Sequence, residues 1–265
     1  MSDGDPTLAL DELLVGIDDT FIEPVFQPVA DLRLHQRLGY ELLSRGPEPF
    51  REPAALFERA GELSMMWELE RACRLAALHA IAALPLATRL SSLFFLNISP
   101  DVLHDPRFVS GFTLAALQEL GIRRDNIVIE ITERTTIADD SRFEQAIRHY
   151  SRQGFRIALD DFGSGHSGLV TLIRCEPQFL KLDMAITRRV DADRYKQKII
   201  KSVVALAENI GATLIAEGVE TEAELDTLRS LGVCYAQGFL LGRPLRGHEV
   251  ASGVTGHGVA GSRGK

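Results

Sequence analysis

Two adjacent carboxylates, Asp160 and Asp161, stand between an apolar run and a loop that contains two glycines. The run from Ile157 predicts a buried strand, in which successive side chains point to opposite faces. Both carboxylates can therefore reach one site only if the strand ends beside them, which Gly163 and Gly165 permit through their freedom in φ. Like charges held that close repel, and a shared proton or a bound cation relieves the repulsion. The alternative is a turn with solvated aspartates, because Asp and Gly are common in turns.

Polar residues elsewhere in the chain favour the cation. Seven consecutive predicted strands carry such a residue near one end, and each alone could be a helix cap, a loop carboxylate or a snorkelling lysine. Because polar groups are costly to bury without partners, chance does not readily place one on every strand. The set is Glu41, Asn97, Glu130, Asp160 with Asp161, Lys181 with Asp183, Glu217 and Gln237. Gln27 joins them if the first strand runs antiparallel to the rest.

The donor atoms of this set indicate the kind of cation. Carboxylates and one amide supply oxygen ligands, while the seven histidines are scattered along the chain. Oxygen ligands favour Mg²⁺ or Mn²⁺ over Zn²⁺. His166 follows the two aspartates and could be a ligand, although a surface histidine in a loop is the simpler interpretation.

Composition limits the class of protein. The chain has 265 residues, 45% hydrophobic and 25% charged, which is ordinary for a globular protein with a large core. Its net charge of −8 argues against a DNA partner, whereas a small phosphorylated ligand fits if metal ions neutralise it. The three cysteines are dispersed, which is typical of a reducing compartment. No basic leader and no long apolar stretch is visible, so we expect a cytoplasmic protein without a membrane span.

The elements that must position these residues alternate along the chain. A short link between the strands predicted at Val25–Val29 and Leu38–Leu43 makes those two strands antiparallel neighbours. Further strands are predicted at Leu93–Ile98, Ile127–Ile131, Arg156–Asp160, Phe179–Asp183, Thr213–Ala216 and Val233–Ala236. Helical spacing of apolar residues fills most of the intervals, including Ala54–Ala60, Trp67–Leu84 and a helix from about Phe108 to Gly121. Helix ends are indicated by Gly154, by Asp193 and by a capping box of Thr221 with Glu224.

This order predicts an α/β fold, a (β/α)₈ TIM-type barrel with the first strand antiparallel. A doubly wound open sheet is the alternative, but no G-x-G-x-x-G follows any strand. The expected domains are an N-terminal extension over residues 1–20 with a short helix, a barrel over residues 21–250, and a disordered Gly/Ser-rich tail over residues 251–265.

Eight segments, taken in order, resemble an EAL-type cyclic-di-GMP phosphodiesterase domain. They are Phe26-Gln-Pro, Gly39-Tyr-Glu-Leu-Leu-x-Arg45, Asn97-Ile-Ser-Pro100, Glu130-Ile-Thr-Glu133, Asp160-Asp-Phe-Gly-Ser-Gly165, Lys181-Leu-Asp183, Ala216-Glu-Gly-Val-Glu-Thr221 and Gln237-Gly-Phe. Each is weak alone, but their common order is specific, and the similarity runs from about Val25 to Leu245.

The resemblance implies a two-metal hydrolase that opens cyclic-di-GMP to linear pGpG. By carry-over, the first Mg²⁺ or Mn²⁺ ion would be held by Glu41, Asn97, Glu130 and Asp160, and the second by Asp160, Asp161 and Glu217. The implied catalytic residues are Lys181, Glu217, Gln237 and Glu133, the last holding the Asp-Asp loop in place. The implied substrate contacts are Gln27, Leu43, Arg45 and Asp183, with the Arg45 guanidinium on a phosphate.

The chain departs from the family pattern at two places. Leu42 replaces the alanine of the motif, but it should point away from Glu41, so we expect repacking with metal binding retained. Ser164, His166 and Gly168 stand where threonine, tyrosine and serine are usual, in a loop that shapes the family's dimer interface. No GGDEF or sensory segment is seen. We therefore expect control through expression, through a homodimer or through a separate regulatory protein.

Two other functions fit the same barrel. The first is a non-hydrolytic cyclic-di-GMP receptor or protein-interaction adaptor, although such domains usually show lost ligands and none is lost here. The second is a different metal-dependent enzyme, a lyase or isomerase acting on carboxylates, which one metal ion instead of two would indicate.

Overall fold

The computed structural model describes residues 21–34, 36–48, 50–132, 140–164 and 168–253. It begins with two long strands, β1 (Glu23–Asp31) and β2 (Gln36–Arg45), which pair antiparallel as predicted. In this register Gln27 lies opposite Glu41.

The later strands run parallel to β2 and follow it in chain order around the sheet. They are β3 (Leu93–Ile98), β4 (Ile127–Thr132), β5 (Arg156–Phe162), β6 (Phe179–Leu182), β7 (Thr213–Ala216) and β8 (Tyr235–Gln237). Strand β1 pairs antiparallel with β8 as well as with β2, which closes a barrel of eight strands. The predicted TIM-type barrel with a reversed first strand is thus confirmed, and the open sheet is excluded.

Ten α-helices are described around the barrel. They are α1 (Pro53–Glu62), α2 (Met66–Ala82), α3 (Leu86–Ser91), α4 (Phe112–Glu119), α5 (Asp140–Arg152), α6 (Gly168–Cys175), α7 (Met184–Thr187), α8 (Arg194–Ile210), α9 (Glu222–Ser230) and α10 (Gly247–Ala251). The predicted caps are confirmed: Asp193 accepts two backbone N–H bonds at the start of α8, and Thr221 forms a capping box with Glu224 at the start of α9. None of the helices in the described part of the chain is long and apolar enough to cross a membrane.

Several element boundaries differ from the prediction. The helix expected from about Phe108 begins at Phe112, because a 3₁₀ helix and turns precede it. Strand β6 stops at Leu182, since Asp183 accepts the Ala185 N–H at 2.6 Å and caps α7 instead. Short elements with little periodicity, such as α3, α7 and strand β9 (Leu245–Arg246), were not foreseen.

The apolar residues form two main layers. The barrel interior is small and is filled by Val29, Phe95, Val128, Ala158, Phe179 and Ile215. The larger core lies between the strands and the surrounding helices and includes Leu42, Leu78 and Leu180. Gly39 allows β2 to approach β3 closely, because a Cβ there would lie 2.0 Å from the Leu93 carbonyl oxygen.

The ends of the chain bear on the predicted domain limits. The helix expected within residues 1–20 lies outside the described residues, as does the expected tail from residue 254 onward. Ala251 belongs to α10, so the described helical structure extends one residue past the predicted limit of the barrel.

Candidate active site

The polar residues of the predicted set form the last layer of the barrel interior. On six strands the polar residue follows an interior residue by two positions, so both side chains point inward. The pairs are Phe95 with Asn97, Val128 with Glu130, Ala158 with Asp160, Phe179 with Lys181, Ile215 with Glu217, and Tyr235 with Gln237. On the reversed strand β1 the order is inverted, and Gln27 precedes Val29 by two. The periodicity of the strands thus brings the polar groups to one end of the barrel.

Lys181 lies at the centre of this layer. Its side chain is 1% exposed, and its Nζ contacts four carboxylates. The distances are 2.8 Å to Glu130 and to Glu217, and 3.2 Å to Glu41 and to Asp160. Three strands and the residue that directly follows a fourth therefore bring acidic groups to one ammonium on a fifth strand.

Glu41 is the most completely bonded carboxylate of the site. One oxygen accepts a hydrogen bond from Asn97 Nδ2 at 3.0 Å, and the other accepts from Gln237 Nε2 at 2.6 Å and from Lys181 Nζ at 3.2 Å. The predicted ligands Glu41 and Asn97 are thus in direct contact. Gln237 also reaches the centre of the site, although it comes from the last strand of the barrel.

Burial and charge act in opposite directions on the pKa values of these groups. Burial acts to raise the pKa of Glu41, but the Lys181 charge and the hydrogen bonds from Asn97 and Gln237 outweigh it and lower the pKa. For Glu130 and Glu217, burial together with the neighbouring carboxylates raises the pKa well above its usual value despite Lys181. For Lys181, burial would lower the pKa, but the surrounding carboxylates raise it well above its usual value. Lys181 is therefore a fixed positive charge, and the carboxyls have more negative charge than it can balance.

Asp160, Asp161 and Glu217 form a second cluster beside Lys181. One carboxylate oxygen of each lies within 4.8 Å of the others, so these three side chains are close enough together to share a metal ion. The predicted second set of metal ligands is therefore brought together. The predicted first set is arranged differently, since Glu41, Glu130 and Asp160 meet around the Lys181 ammonium.

The two aspartates converge for a reason that differs from the prediction. Strand β5 does not end at Asp160 but continues to Phe162, and its pairing with β6 shifts register between Leu159 and Phe162. Asp161 itself takes the left-handed conformation, with φ of 57°. This local irregularity turns its side chain to the face of Asp160, whereas the prediction assigned the turn to Gly163 and Gly165.

The donor set fits divalent cations. Both oxygens of Glu130, which is 0% exposed, and Oδ1 of Asp160 are buried without a hydrogen-bond donor of good geometry, although both residues are ion-paired with Lys181. Buried anionic oxygens need a proton or a cation. Since the other atoms of the site that could bind a metal are also oxygens, the site suits Mg²⁺ or Mn²⁺.

A cleft of about 410 Å³ opens above this layer. Three predicted substrate contacts, Gln27, Leu43 and Asp183, line it together with Glu41, Asp161, Glu217 and Gln237. Asp183 is also the cap of α7, so part of its role is structural. Arg45 lies two residues beyond Leu43 on the same face of β2 and bonds the Ser44 carbonyl oxygen, but it is not among the described residues that line the cleft.

Apart from two glycines, four residues of the cleft wall were not predicted as site residues. They are Met184, Arg188, Glu220 and Phe239. Arg188 pairs with Glu220 across the wall, and the Arg243 guanidinium lies 4.5 Å from the centre of the Phe239 ring. Glu220 and Phe239 stand in segments that the resemblance already contains. Met184 and Arg188 lie within and directly after a single helical turn, where no periodic pattern points to them.

Three further sequence expectations concern the surroundings of the site. Leu42 points away from Glu41 and packs in the core between barrel and helices, as expected. Glu133 and His166 lie outside the described residues, so their predicted roles stay predictions. In the substituted loop, Ser164 donates its N–H to the Asp161 carbonyl oxygen at 3.0 Å, and Gly168 begins α6.

Comparison with known sequences gives a consistent result. The family described as "EAL domain" matches residues 10–244. PdeG of Escherichia coli K12, named as a probable cyclic di-GMP phosphodiesterase, is 31% identical over 236 residues, which are 87% of this chain and 46% of that protein. PdeN of the same organism carries the same description and is 29% identical over 237 residues, or 45% of its length. The chain thus spans slightly less than half of these two relatives.

Solved structures agree with the sequence comparison. BlrP1 of Klebsiella pneumoniae, in a complex with calcium and cyclic-di-GMP, superimposes with a TM-score of 0.78 at 30% identity, covering 86% of this chain and 56% of that one. A stand-alone EAL protein of Vibrio cholerae O395, in its c-di-GMP bound form, gives a TM-score of 0.76 at 30% identity, covering 85% of this chain and 93% of that one. The structure of BlrP1 has also been solved in a complex with manganese and cyclic-di-GMP.

Proposed function

Because the chain belongs to the EAL domain family, we propose that it hydrolyses cyclic-di-GMP to linear pGpG with the help of two Mg²⁺ or Mn²⁺ ions. The observation that carries the proposal is the excess of carboxylates at one end of the barrel. Four of them, from Glu41, Glu130, Asp160 and Glu217, contact the single ammonium of Lys181, and the carboxylate of Asp161 converges with those of Asp160 and Glu217.

The charge balance of the site supports two ions and not one. If all five carboxylates are ionised, the ammonium leaves four negative charges, which two divalent cations would neutralise. Burial, together with the neighbouring carboxylates, raises the pKa values of Glu130 and Glu217, so protons relieve the repulsion where cations do not. The cyclic dinucleotide adds two phosphate charges, which makes cations in the cleft still more necessary.

The proposed ligands divide as the family resemblance implies. Glu41, Asn97, Glu130 and Asp160 would hold one ion, and Asp160, Asp161 and Glu217 the other. When bound, the ions supply an activated water and neutralise the charge that develops on the phosphodiester.

The chain's own residues have separate roles in this proposal. Lys181 keeps its positive charge and holds four carboxylates in place, close to the developing negative charge. Gln237 orients Glu41 through its 2.6 Å hydrogen bond. Gln27, Leu43 and Asp183 bind the dinucleotide in the cleft wall, and Arg45 binds a phosphate from further along β2. Glu133 would hold the Asp-Asp loop.

The proposal is tested by incubating the protein with cyclic-di-GMP and Mn²⁺ and separating the products by chromatography. We expect pGpG from the wild-type chain and a loss of at least about 100-fold in rate for Glu41→Gln and Glu217→Gln, since each substitution removes a ligand charge. Glu208→Gln on the exposed side of α8 is the matched control and should keep the wild-type rate. Absence of pGpG with metal present would overturn the proposal.

The same samples distinguish the alternative functions. A non-hydrolytic receptor would bind cyclic-di-GMP in calorimetry without metal and leave it intact. One bound ion per chain and no cleavage would indicate the other class of metal-dependent barrel enzyme.

The remaining expectations concern the protein's setting. We include in the proposal a cytoplasmic location, a homodimer and a separate regulatory protein. The exposed apolar side chains of α6, with Leu169 62% and Ile173 76% exposed, favour self-association of two copies through this helix. Light scattering of the purified chain measures the homodimer directly.

A further inference from the structure

A buried ion pair lies outside the barrel, in the helix layer. Glu70 and Arg74 are one turn apart in α2, are 5% and 4% exposed, and are joined by a salt bridge of 3.1 Å. Arg74 also donates to the Thr113 hydroxyl at 3.1 Å and to the Tyr150 hydroxyl at 3.2 Å. The guanidinium is therefore committed to neighbouring helices, and a buried pair of this kind is weak evidence of a purely stabilising role.

Glu70 divides its two oxygens between different partners. While Oε2 contacts Arg74, Oε1 accepts the backbone N–H of Ser99 at 2.7 Å. Ser99 follows the last residue of β3, and the ladder between β3 and β4 ends at Ile98 paired with Ile131. Its N–H is thus the first donor beyond the ladder, and a carboxylate that accepts it forms a strong, charge-assisted bond.

The backbone that Glu70 holds carries Asn97. The Asn97 side chain projects from the end of β3 to Glu41 Oε1, yet the residue is exposed, so packing around it contributes little to its orientation. Its direction therefore depends on the backbone between Asn97 and Ser99. Pro100, which follows, has no N–H that could anchor this strand end further.

From this geometry we propose that Glu70 is a positioning residue for the metal site, acting through the Ser99 N–H to fix the end of β3 and so the amide of Asn97. The inference rests on the proposed function, in which Asn97 is a metal ligand. Partners that orient a ligand from behind are commonly worth 10- to 100-fold in metal affinity.

Two double variants isolate the hydrogen bond from the ion pair. Glu70→Leu with Arg74→Met and Glu70→Gln with Arg74→Met both remove the charges and the Arg74 contacts, and apolar replacement of a buried pair is often tolerated. They differ in one respect: the glutamine carbonyl oxygen can still accept the Ser99 N–H. The measurements are Mn²⁺ affinity by calorimetry, amide hydrogen exchange of Ser99 in metal-free protein, and the melting temperature.

The expected result is a contrast between the two double variants. The leucine variant should bind Mn²⁺ about 10-fold more weakly and lose protection of the Ser99 amide, whereas the glutamine variant should recover most of both. Equal Mn²⁺ affinity and equal Ser99 protection in the two variants would overturn the inference. If the wild-type chain itself binds no Mn²⁺, the proposed function fails instead, and the Ser99 exchange still tests the hydrogen bond.

Tyr150→Phe provides a control, because Tyr150 contacts Arg74 and not the Ser99 N–H. It removes a hydrogen bond from Arg74 but leaves the contact between Glu70 and Ser99 in place. We expect a lower melting temperature with Mn²⁺ affinity unchanged. A drop in Mn²⁺ affinity as large as that of the leucine variant would show that stability alone controls the site, against the positioning role.

Discussion

Lys181 shows how one buried charge can organise an active site. An ammonium that is 1% exposed would be strongly destabilising alone, and so would the carboxylates around it. Together the ammonium and the carboxylates partly neutralise each other, and the negative charge that remains can be neutralised by bound cations. Removing one partner of a buried ion pair lowers stability more than replacing the whole pair by apolar residues, because the remaining charged partner is left buried and unpaired.

Lys181→Met is expected to destabilise the metal-free protein by about 3–5 kcal/mol, since four carboxylates lose their common partner. Saturating Mn²⁺ should restore part of this loss by balancing the same carboxylates. Urea denaturation at pH 7, with and without Mn²⁺, measures both effects. Lys201→Met on the exposed face of α8 is the control and should change stability by less than about 0.5 kcal/mol.

Asp161 combines a ligand role with an unusual backbone conformation. Its φ of 57° is left-handed, where Asn, Asp and Gly are tolerated better than other residues. Three substitutions separate the two roles, since all of them remove the carboxylate. Asp161→Asn and Asp161→Gly should unfold close to the wild-type urea midpoint without metal, whereas Asp161→Ala should be less stable by about 1 kcal/mol.

The same three variants should all bind Mn²⁺ more weakly in calorimetry. Equal stability of the alanine and glycine variants would contradict the conformational explanation. Wild-type Mn²⁺ affinity in the asparagine variant would contradict the ligand role.

At the scale of elements, the loops after β6 and β7 shape the cleft and are tied together by Glu224 in α9. This carboxylate is 5% exposed and accepts backbone N–H bonds from Arg189 at 2.7 Å and from Glu220 and Thr221 at 3.0 Å. Although burial acts to raise its pKa, these backbone bonds outweigh the effect and lower it. One side chain therefore caps its own helix and anchors two loops.

Glu224→Ala should lower the free energy of unfolding by at least about 2 kcal/mol, because three backbone N–H donors lose a charged acceptor. Since the pKa of Glu224 in the folded state lies below its usual value of 4.5, the stabilisation is present above about pH 4.5 and disappears as the pH falls through the lower folded pKa. The difference between wild type and variant, measured by urea denaturation from pH 7 to pH 3, should therefore shrink at low pH. Asp226→Ala, an exposed change in the same helix, should give a small difference.

At the scale of the whole molecule, buried acids make global stability depend on pH. Burial raises the pKa of Glu70 to about 7, against the lowering effects of Arg74 and the Ser99 N–H. The folded state then binds more protons than the unfolded state between pH 4.5 and about 7, so stability falls as the pH rises through this window.

In the double variant Glu70→Gln with Arg74→Met, the free energy of unfolding should lose the pH dependence that Glu70 causes. This contribution amounts to roughly 3 kcal/mol at most. Melting of metal-free wild type and variant across pH 4.5–7.5 measures it, and the other buried acids contribute to both proteins alike. Parallel curves for the two proteins would show that Glu70 does not titrate in this window.

The sequence by itself determined the barrel, the reversed first strand and the residues that meet at its end. These follow from local patterns: the short link before Leu38, the alternation of strands and helices, and a polar residue at nearly every strand end. Because side chains alternate along a strand, a polar residue two positions beyond an interior apolar residue must point to the same axis. The helix caps at Asp193 and Thr221 are equally local, and the structure confirms them.

Only the tertiary structure decided how these residues touch one another. Lys181 is shared by four carboxylates, Asp161 takes a left-handed backbone conformation, and Glu70 accepts the Ser99 N–H from the helix layer. All three features depend on the distances at which the closed barrel places its strands and helices. Contacts between residues tens of positions apart leave no periodic trace in a single sequence. Met184 and Arg188 in the cleft wall escaped prediction for the same reason, because loops are positioned by the elements they connect.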